Sequence, residues 1–186
     1  MFRRGVFLVI LALAPALQPV ANGAPSVATP LHTGEEFSQL SGQTLTGRTL
    51  ELPSMTAGKP AVVVFSFTRS AGKDARSWDE HLSQDFPGLS INTIILLESV
   101  PSLFRGRALS GIKSGIPSSI QDQTVVLYKD EELWKRRLDV TDENCAYLLL
   151  LGPDGLIRWK TTACFSQGTY VQLQGEVRKL QGHSKQ

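Results

Sequence analysis

The sequence AVVVFSFTRSAGK, residues 61–73, decides how this chain folds. Residues 61–67 carry apolar side chains on both faces, which is typical of a strand buried between two layers of helices. Trp78, Leu82 and Phe86 then recur every four residues and mark the inner stripe of a helix that ends at Pro87-Gly88. The stretch therefore predicts a central strand that runs directly into a helix.

Further strands and helices are predicted on both sides of this unit. Leucines alternate with polar residues around a glycine in residues 44–52, which indicates an edge hairpin. The remaining elements are a strand at 91–97, a helix at 102–111, a strand at 124–128, a helix through Leu133, Trp134 and Leu138, hairpin strands at 146–151 and 156–160, and a helix with Tyr170, Leu173, Val177 and Leu180 on one face and Ser166 as N-cap. This order predicts one α/β domain with a central mixed sheet, helices on both faces and an N-terminal hairpin extension.

Residues 61–73 resemble the active-site strand and turn of the thioredoxin-like superfamily, in which the turn carries Cys-x-x-Cys. The two cysteine positions are Ser70 and Lys73 in this chain. A serine hydroxyl has no accessible anion at neutral pH and a lysine cannot form a disulfide, so the redox reaction is expected to be lost. The superfamily also places a cis-proline before the hairpin strand, where this chain reads Asn144-Cys145-Ala146. The resemblance implies a three-layer thioredoxin-like fold without catalytic residues.

One branch of the superfamily matches two further motifs. Residues 146–150 read AYLLL and residues 155–159 read GLIRW, with the turn Gly152-Pro153-Asp154-Gly155 between them. They resemble the hairpin of the mitochondrial ATP-synthase assembly-factor family that chaperones subunit 6 of the membrane sector. The resemblance extends over residues 40–180. It implies a protein partner, for which a membrane-complex subunit is a candidate.

The N-terminus predicts export. Arg3 and Arg4 precede an apolar run at residues 5–14, and Ala21-Asn22-Gly23 offers small residues for a signal peptidase. The run is about half the ~20 residues that cross a bilayer, although an uncleaved anchor is the alternative. The predicted organisation is a signal peptide at 1–23, a flexible lead at 24–36, the domain at 37–182 and a tail at 183–186. We expect a periplasmic or extracellular protein, with membrane association left open.

The charge of the chain argues against nucleic acid as a partner. The whole sequence has 19 Lys and Arg against 17 Asp and Glu, and loss of Arg3 and Arg4 leaves 17 of each. Nucleic-acid-binding domains carry a basic excess. The histidines at 32, 81 and 183 are scattered, so no Cys/His metal site and no cofactor are predicted.

Cys145 and Cys164 are the only cysteines. If the hairpin turns at residues 152–155, facing residue numbers sum to about 307, which places Cys145 opposite residue 162. A bulge could then bring the two sulfurs within bonding range. A structural disulfide fits an oxidising compartment, and a redox-active pair is the alternative.

Several side chains have both a functional and a structural interpretation. Ser70 is typical of a helix N-cap, with a nucleophile as the alternative, and Lys73 is either an exposed helical residue or an anion ligand. The candidates for partner contact are Trp78, Arg105, Arg107, Arg158 and Trp159. For Arg158 and Trp159 the structural alternative is a carboxylate pair and a core indole, and for the other two arginines it is a solvated basic turn.

These observations predict an exported, redox-inactive, thioredoxin-like module that binds or assembles another protein. The alternative is an atypical thiol-disulfide or peroxide-handling oxidoreductase that uses Cys145 and Cys164.

Overall fold

A computed structural model describes residues 28–183 of the chain. Seven strands form one sheet: β1 Leu40–Thr44, β2 Thr49–Leu52, β3 Ala61–Ser66, β4 Ser90–Leu96, β5 Thr124–Leu127, β6 Tyr147–Leu151 and β7 Ile157–Thr161. Four α-helices flank it: α1 Arg69–Asp85, α2 Ser102–Gly115, α3 Glu131–Leu138 and α4 Gln167–His183. Short 3₁₀ turns lie at Ser54–Thr56 and Ser118–Gln123. The predicted signal peptide and most of the predicted tail lie outside the described residues.

The strand order across the sheet is β2-β1-β5-β4-β3-β6-β7. The three central strands β5, β4 and β3 are parallel, and the outer strands join them antiparallel. Parallel neighbours are connected through α1 and α2, since a parallel pair needs a crossover. The mixed sheet and the N-terminal hairpin at its edge confirm the predicted fold class.

Strand β3 divides the core into two faces because its side chains alternate across the sheet. Val62 and Val64 pack with the inner stripes of α1 and α4. Val63 and Phe65 face the other way, where the Phe65 ring lies 4.9 Å from the Trp134 ring of α3. Helix α2 lies on the same face as α1 and α4, where it covers strands β4 and β5, and its contact residues are only partly buried. Within residues 28–183 no helix is both long and apolar enough to cross a membrane.

The second half of the predicted flexible lead is instead packed against the domain. Leu31 is buried, and its backbone N–H donates to the carbonyl of Arg137 at 2.7 Å. Glu36 forms an antiparallel bridge with Leu156, and the Ile157 N–H donates to the Glu35 carbonyl at 2.8 Å. The prediction of flexibility failed here because proline- and glycine-rich composition does not reveal an available strand edge. The domain therefore begins before residue 37.

Candidate functional site

The first turn of α1 is capped by Thr68 and not, as predicted, by Ser70. The Thr68 Oγ1 accepts the Ala71 N–H at 3.1 Å and donates to the carbonyl of Glu143 at 2.8 Å. Helix α1 starts one residue after Thr68, so Ser70 and Lys73 are already helical, and both are exposed. The turn that would hold a reactive thiol is thus occupied by a hydroxyl that ties the helix to the 142–146 loop.

The structure contains the predicted bond between Cys145 and Cys164, with sulfurs 1.94 Å apart and Cα atoms 4.5 Å apart. The hairpin register explains the pairing. Leu151 faces Ile157 and Leu150 faces Trp159, so Arg158 is an extra residue on β7, and Leu148 faces Thr161. This extra residue forms a β-bulge. Beyond it, the numbers of two residues that face each other sum to 309 and not to the predicted 307, so Cys145 lies opposite Cys164. Cys145 is buried, whereas Cys164 is exposed.

Asp74 of α1 holds both cysteine-bearing segments. Its Oδ2 accepts the N–H of Ala146 and its Oδ1 accepts the N–H of Phe165, each at 2.9 Å. These are the residues that directly follow Cys145 and Cys164. One carboxylate therefore fixes the spacing of the two backbones that the disulfide links, and it joins them to the helix that begins at the active-site turn of the fold.

The loop that carries Cys145 is also fixed from the side of α3. The Tyr147 hydroxyl accepts the N–H groups of Thr141 at 2.8 Å and Asp142 at 3.0 Å. Lys135 forms ion pairs with Glu131, Glu132 and Glu143, the last at 2.9 Å. Desolvation lowers the pKa of Lys135, but hydrogen bonds to Glu143 and Glu131 outweigh it and the pKa is raised above its ordinary value. The loop is held by α1, α3 and β6, so its shape does not depend on the disulfide alone.

The surroundings of the disulfide disfavour thiol chemistry. The Oδ2 of Asp142 lies 3.6 Å from the Sγ of Cys145. A negative charge so close to a buried sulfur opposes formation of a thiolate there. Asp142, Cys145 and Cys164 bring one oxygen and two sulfurs within 4.8 Å of one another. Because the sulfurs are bonded to each other, they do not offer the thiolates that a metal ion would need.

Trp78 is fully buried, which corrects its assignment as a partner contact. Its ring lies 5.1 Å from that of Phe165 and 6.4 Å from that of the half-buried Trp159. Trp78 thus packs α1 against the residue that follows Cys164. Arg158 pairs with Asp154 across the turn, which matches the structural interpretation of that residue.

Of the two α2 arginines, only Arg107 has an exposed side chain that no described contact occupies. Arg105 donates to the carbonyls of Val100 at 2.9 Å and Glu98 at 3.1 Å, and it lies over the ring of Tyr128. It therefore fixes the first turn of α2 to the loop before it. Arg107 and Lys73 remain at the surface.

Asp74, Asp142 and Thr68 are the site residues that sequence reasoning missed. Asp74 had a readable signal, because it lies four residues before Trp78 and so close to the inner stripe of α1. An acidic side chain at such a position indicates backbone or cationic partners on a neighbouring segment. Asp142 had no comparable signal in the sequence, since its approach to Cys145 depends on the loop conformation.

The fold and the degenerate turn define a thioredoxin-like protein whose only cysteines within the described residues form one disulfide, and neither cysteine belongs to the α1 turn. The ATP10 protein family matches residues 25–180. The chain therefore belongs to the ATP10 family of ATP synthase assembly factors. Comparison with curated proteins finds no significant match.

Solved structures with this fold share little sequence with the chain. A thiol:disulfide interchange protein DsbE from Chlorobium tepidum has 12% identity and a TM-score of 0.58, with 81% of this chain and 98% of that chain covered. The thioredoxin domain of a thiol-disulfide oxidoreductase from Bacteroides vulgatus has 19% identity and a TM-score of 0.55, with 79% and 99% covered. BsSco, a member of the Sco family of cytochrome c oxidase assembly proteins, has 13% identity and a TM-score of 0.55, with 81% and 96% covered. At these identities the likeness is one of fold.

Proposed function

We propose that this protein is a redox-inactive assembly module that binds a protein subunit of a membrane complex. The observation that carries the proposal is the α1 turn, where Ser70 and Lys73 stand in place of cysteines. The hydroxyl oxygen of Thr68 already accepts the N–H of Ala71 there. An assembly-factor family implies protein partners in a complex. The subunit itself is our proposal, drawn from the resemblance of the β6–β7 hairpin to the subunit 6 chaperones.

The disulfide has a supporting role in this proposal. The Cys145–Cys164 bond, the Asp74 carboxylate and the Lys135–Glu143 ion pair hold the 142–146 and 163–165 segments beside the start of α1. Ligands of open α/β sheets bind outside the carboxyl ends of the parallel strands, and α1 begins at that end of β3. A surface fixed in advance loses less conformational freedom on binding, which favours recognition.

Rescue of a deletion strain tests the proposal. We expect loss of the gene to lower the amount of intact membrane complex on native gels, and wild-type protein to restore it. The Cys145→Ala/Cys164→Ala double variant should also restore it at a growth temperature below its own melting point, with its abundance measured as the control. Failure of an abundant, folded double variant, combined with disulfide reductase activity of the wild type, would contradict the redox-inactive proposal. Normal complex without the gene would contradict the assembly role.

The second candidate function is thiol-disulfide or peroxide chemistry at Cys145 and Cys164. Exposure of Cys164 at the edge of the sheet that carries the α1 turn favours it. Attack on the Cys164 sulfur would release Cys145 as a thiolate, which is buried beside the Asp142 carboxylate. This leaving group is therefore a poor one.

We accordingly predict no turnover above background in an insulin-disulfide reductase assay or a thiol peroxidase assay. Wild-type protein and the Cys145→Ala/Cys164→Ala variant should give the same rates. Activity in the wild type that disappears on Cys145→Ser would overturn this prediction and assign the chain to the enzyme class.

We also propose that the protein works outside the cytoplasm. The basic start, short apolar run and small residues at 21–23 predict a mature chain that begins at Ala24. N-terminal sequencing of protein purified from its native cells measures this directly. Recovery of intact Met1 in a membrane fraction would show an uncleaved anchor instead.

A further inference from the structure

The exposed surfaces of α1 and α2 concentrate positive charge, although residues 24–186 together carry 17 Lys and Arg and 17 Asp and Glu. Arg69, Lys73 and Arg76 are four and three residues apart, so they form one exposed row along the first half of α1. The Arg76 Nη2 donates to the carbonyl of Gly115 at 2.8 Å, which joins this row to the end of α2. Helix α2 adds the exposed cations Arg107 and Lys113. We call these five residues the basic face.

Few acidic side chains lie beside these cations. Helix α2 contains no Asp or Glu. The first half of α1 contains one, Asp74, and its carboxylate is turned toward the backbones of Ala146 and Phe165. Asp79 and Glu80 follow Arg76 by three and four residues, so the five cations outnumber these two carboxylates and the basic face keeps a positive excess.

Two large apolar side chains stand beside the basic face on the first turn of α2. Leu103 is 85% exposed and Phe104 is 56% exposed. Arg105, which follows them, is held by the carbonyls of Val100 and Glu98, so this turn is fixed in place. Leu103 and Arg107 lie four residues apart and share the outward row of the helix. Exposed apolar side chains next to basic ones suit an anionic membrane surface, where buried apolar area and electrostatic attraction both contribute to binding.

We propose that the basic face binds an anionic membrane surface, with Leu103 and Phe104 entering the headgroup layer. An anionic bilayer matches both components of this surface, because its phosphates attract the cations and its acyl boundary accepts the apolar pair. This interaction goes beyond the assembly role and does not depend on which subunit is bound. It would hold the disulfide-bearing edge of the domain close to the membrane, since α1 and α2 both begin at the carboxyl ends of parallel strands.

Vesicle flotation tests the proposal with a chain that begins at Ala24, because the apolar run at 5–14 would itself bind lipid. We expect binding to phosphatidylcholine vesicles that contain phosphatidylglycerol, none to phosphatidylcholine alone, and weakening with salt. The Leu103→Ser/Phe104→Ser double variant should lose at least roughly tenfold in affinity for these vesicles. Lys73→Gln and Arg107→Gln should each weaken binding roughly fivefold.

Matched variants lie elsewhere on the domain. Val171→Ser removes a 54% exposed side chain from α4, and Arg136→Gln removes an exposed charge from α3 on the opposite face of the sheet; both should bind as wild type. Circular-dichroism melts verify that every variant folds. Absence of vesicle binding, equal binding to neutral vesicles, or equal losses in the matched variants would overturn the proposal. A dimer in sedimentation velocity that Leu103→Ser/Phe104→Ser abolishes would assign the surface to a second copy instead.

Discussion

Replacement of Cys164 by alanine is expected to lower the free energy of unfolding by about 3 kcal/mol and the Tm by roughly 6–12 °C. The bond spans a sequence separation of 19 residues, and without it the unfolded chain regains the freedom that the cross-link removed. Cys164 is the better position for this test because its side chain is exposed, whereas Cys145 is buried in the core. The effect at Cys164 therefore reports the cross-link and not a cavity.

Thermal melting of oxidised wild type, reduced wild type and Cys164→Ala measures this difference. The reduced wild type and the variant should melt together, and Cys145→Ala should melt no higher than either. A thiol reagent should find no reactive cysteine in the native protein until it is unfolded and reduced. A bond that opens in mild glutathione buffers, with little change in Tm, would contradict the structural role and support the redox alternative.

The elements that sequence predicted well are those whose pattern is local. Strand β3 is apolar except for Ser66 and buried throughout, and the inner stripe of α1 at Trp78 and Leu82 is regular, so both lie where the pattern placed them. The turn before β7 was readable because Gly155 takes a φ of +78°, a conformation that favours glycine. Helix α2 extends to Gly115, four residues beyond its predicted end, because the glycines inside it weaken the helical signal without ending the helix.

The candidate site was less predictable because it depends on contacts between distant segments. The cysteine pairing was inferred, but the inferred register was wrong by two, since a bulge at Arg158 cannot be located from alternation alone. The cap was assigned to Ser70 and not to Thr68, two residues earlier, where helix boundaries are least certain from sequence. Trp78 was offered as a partner contact because an indole suits both a core and an interface. Its neighbours, Phe165 and Tyr170, come from the far end of the chain.

Asp74→Ala is expected to be the second most damaging substitution, with a loss of about 2–4 kcal/mol in the free energy of unfolding. The variant leaves the N–H groups of Ala146 and Phe165 without their acceptor, and Ala146 is fully buried. Asp74→Asn should lose about half as much, since an amide offers one oxygen acceptor and turns an NH₂ group toward the other donor. Glu80→Ala, at an exposed position of the same helix, is the matched control and should change stability by less than about 0.5 kcal/mol.

A double-mutant cycle between Asp74 and Cys164 then shows whether the carboxylate and the disulfide act together. Both hold the 145–146 backbone beside the 164–165 backbone, so each reduces the freedom that the other would otherwise have to remove. Removal of either one weakens the other, and the double variant should lose less than the sum of the single losses, by about 0.5–3 kcal/mol. Urea unfolding of the four proteins gives this coupling energy directly. Strictly additive losses would contradict a shared clamp, and Asp74 would then stabilise α1 independently of the segments that the disulfide links.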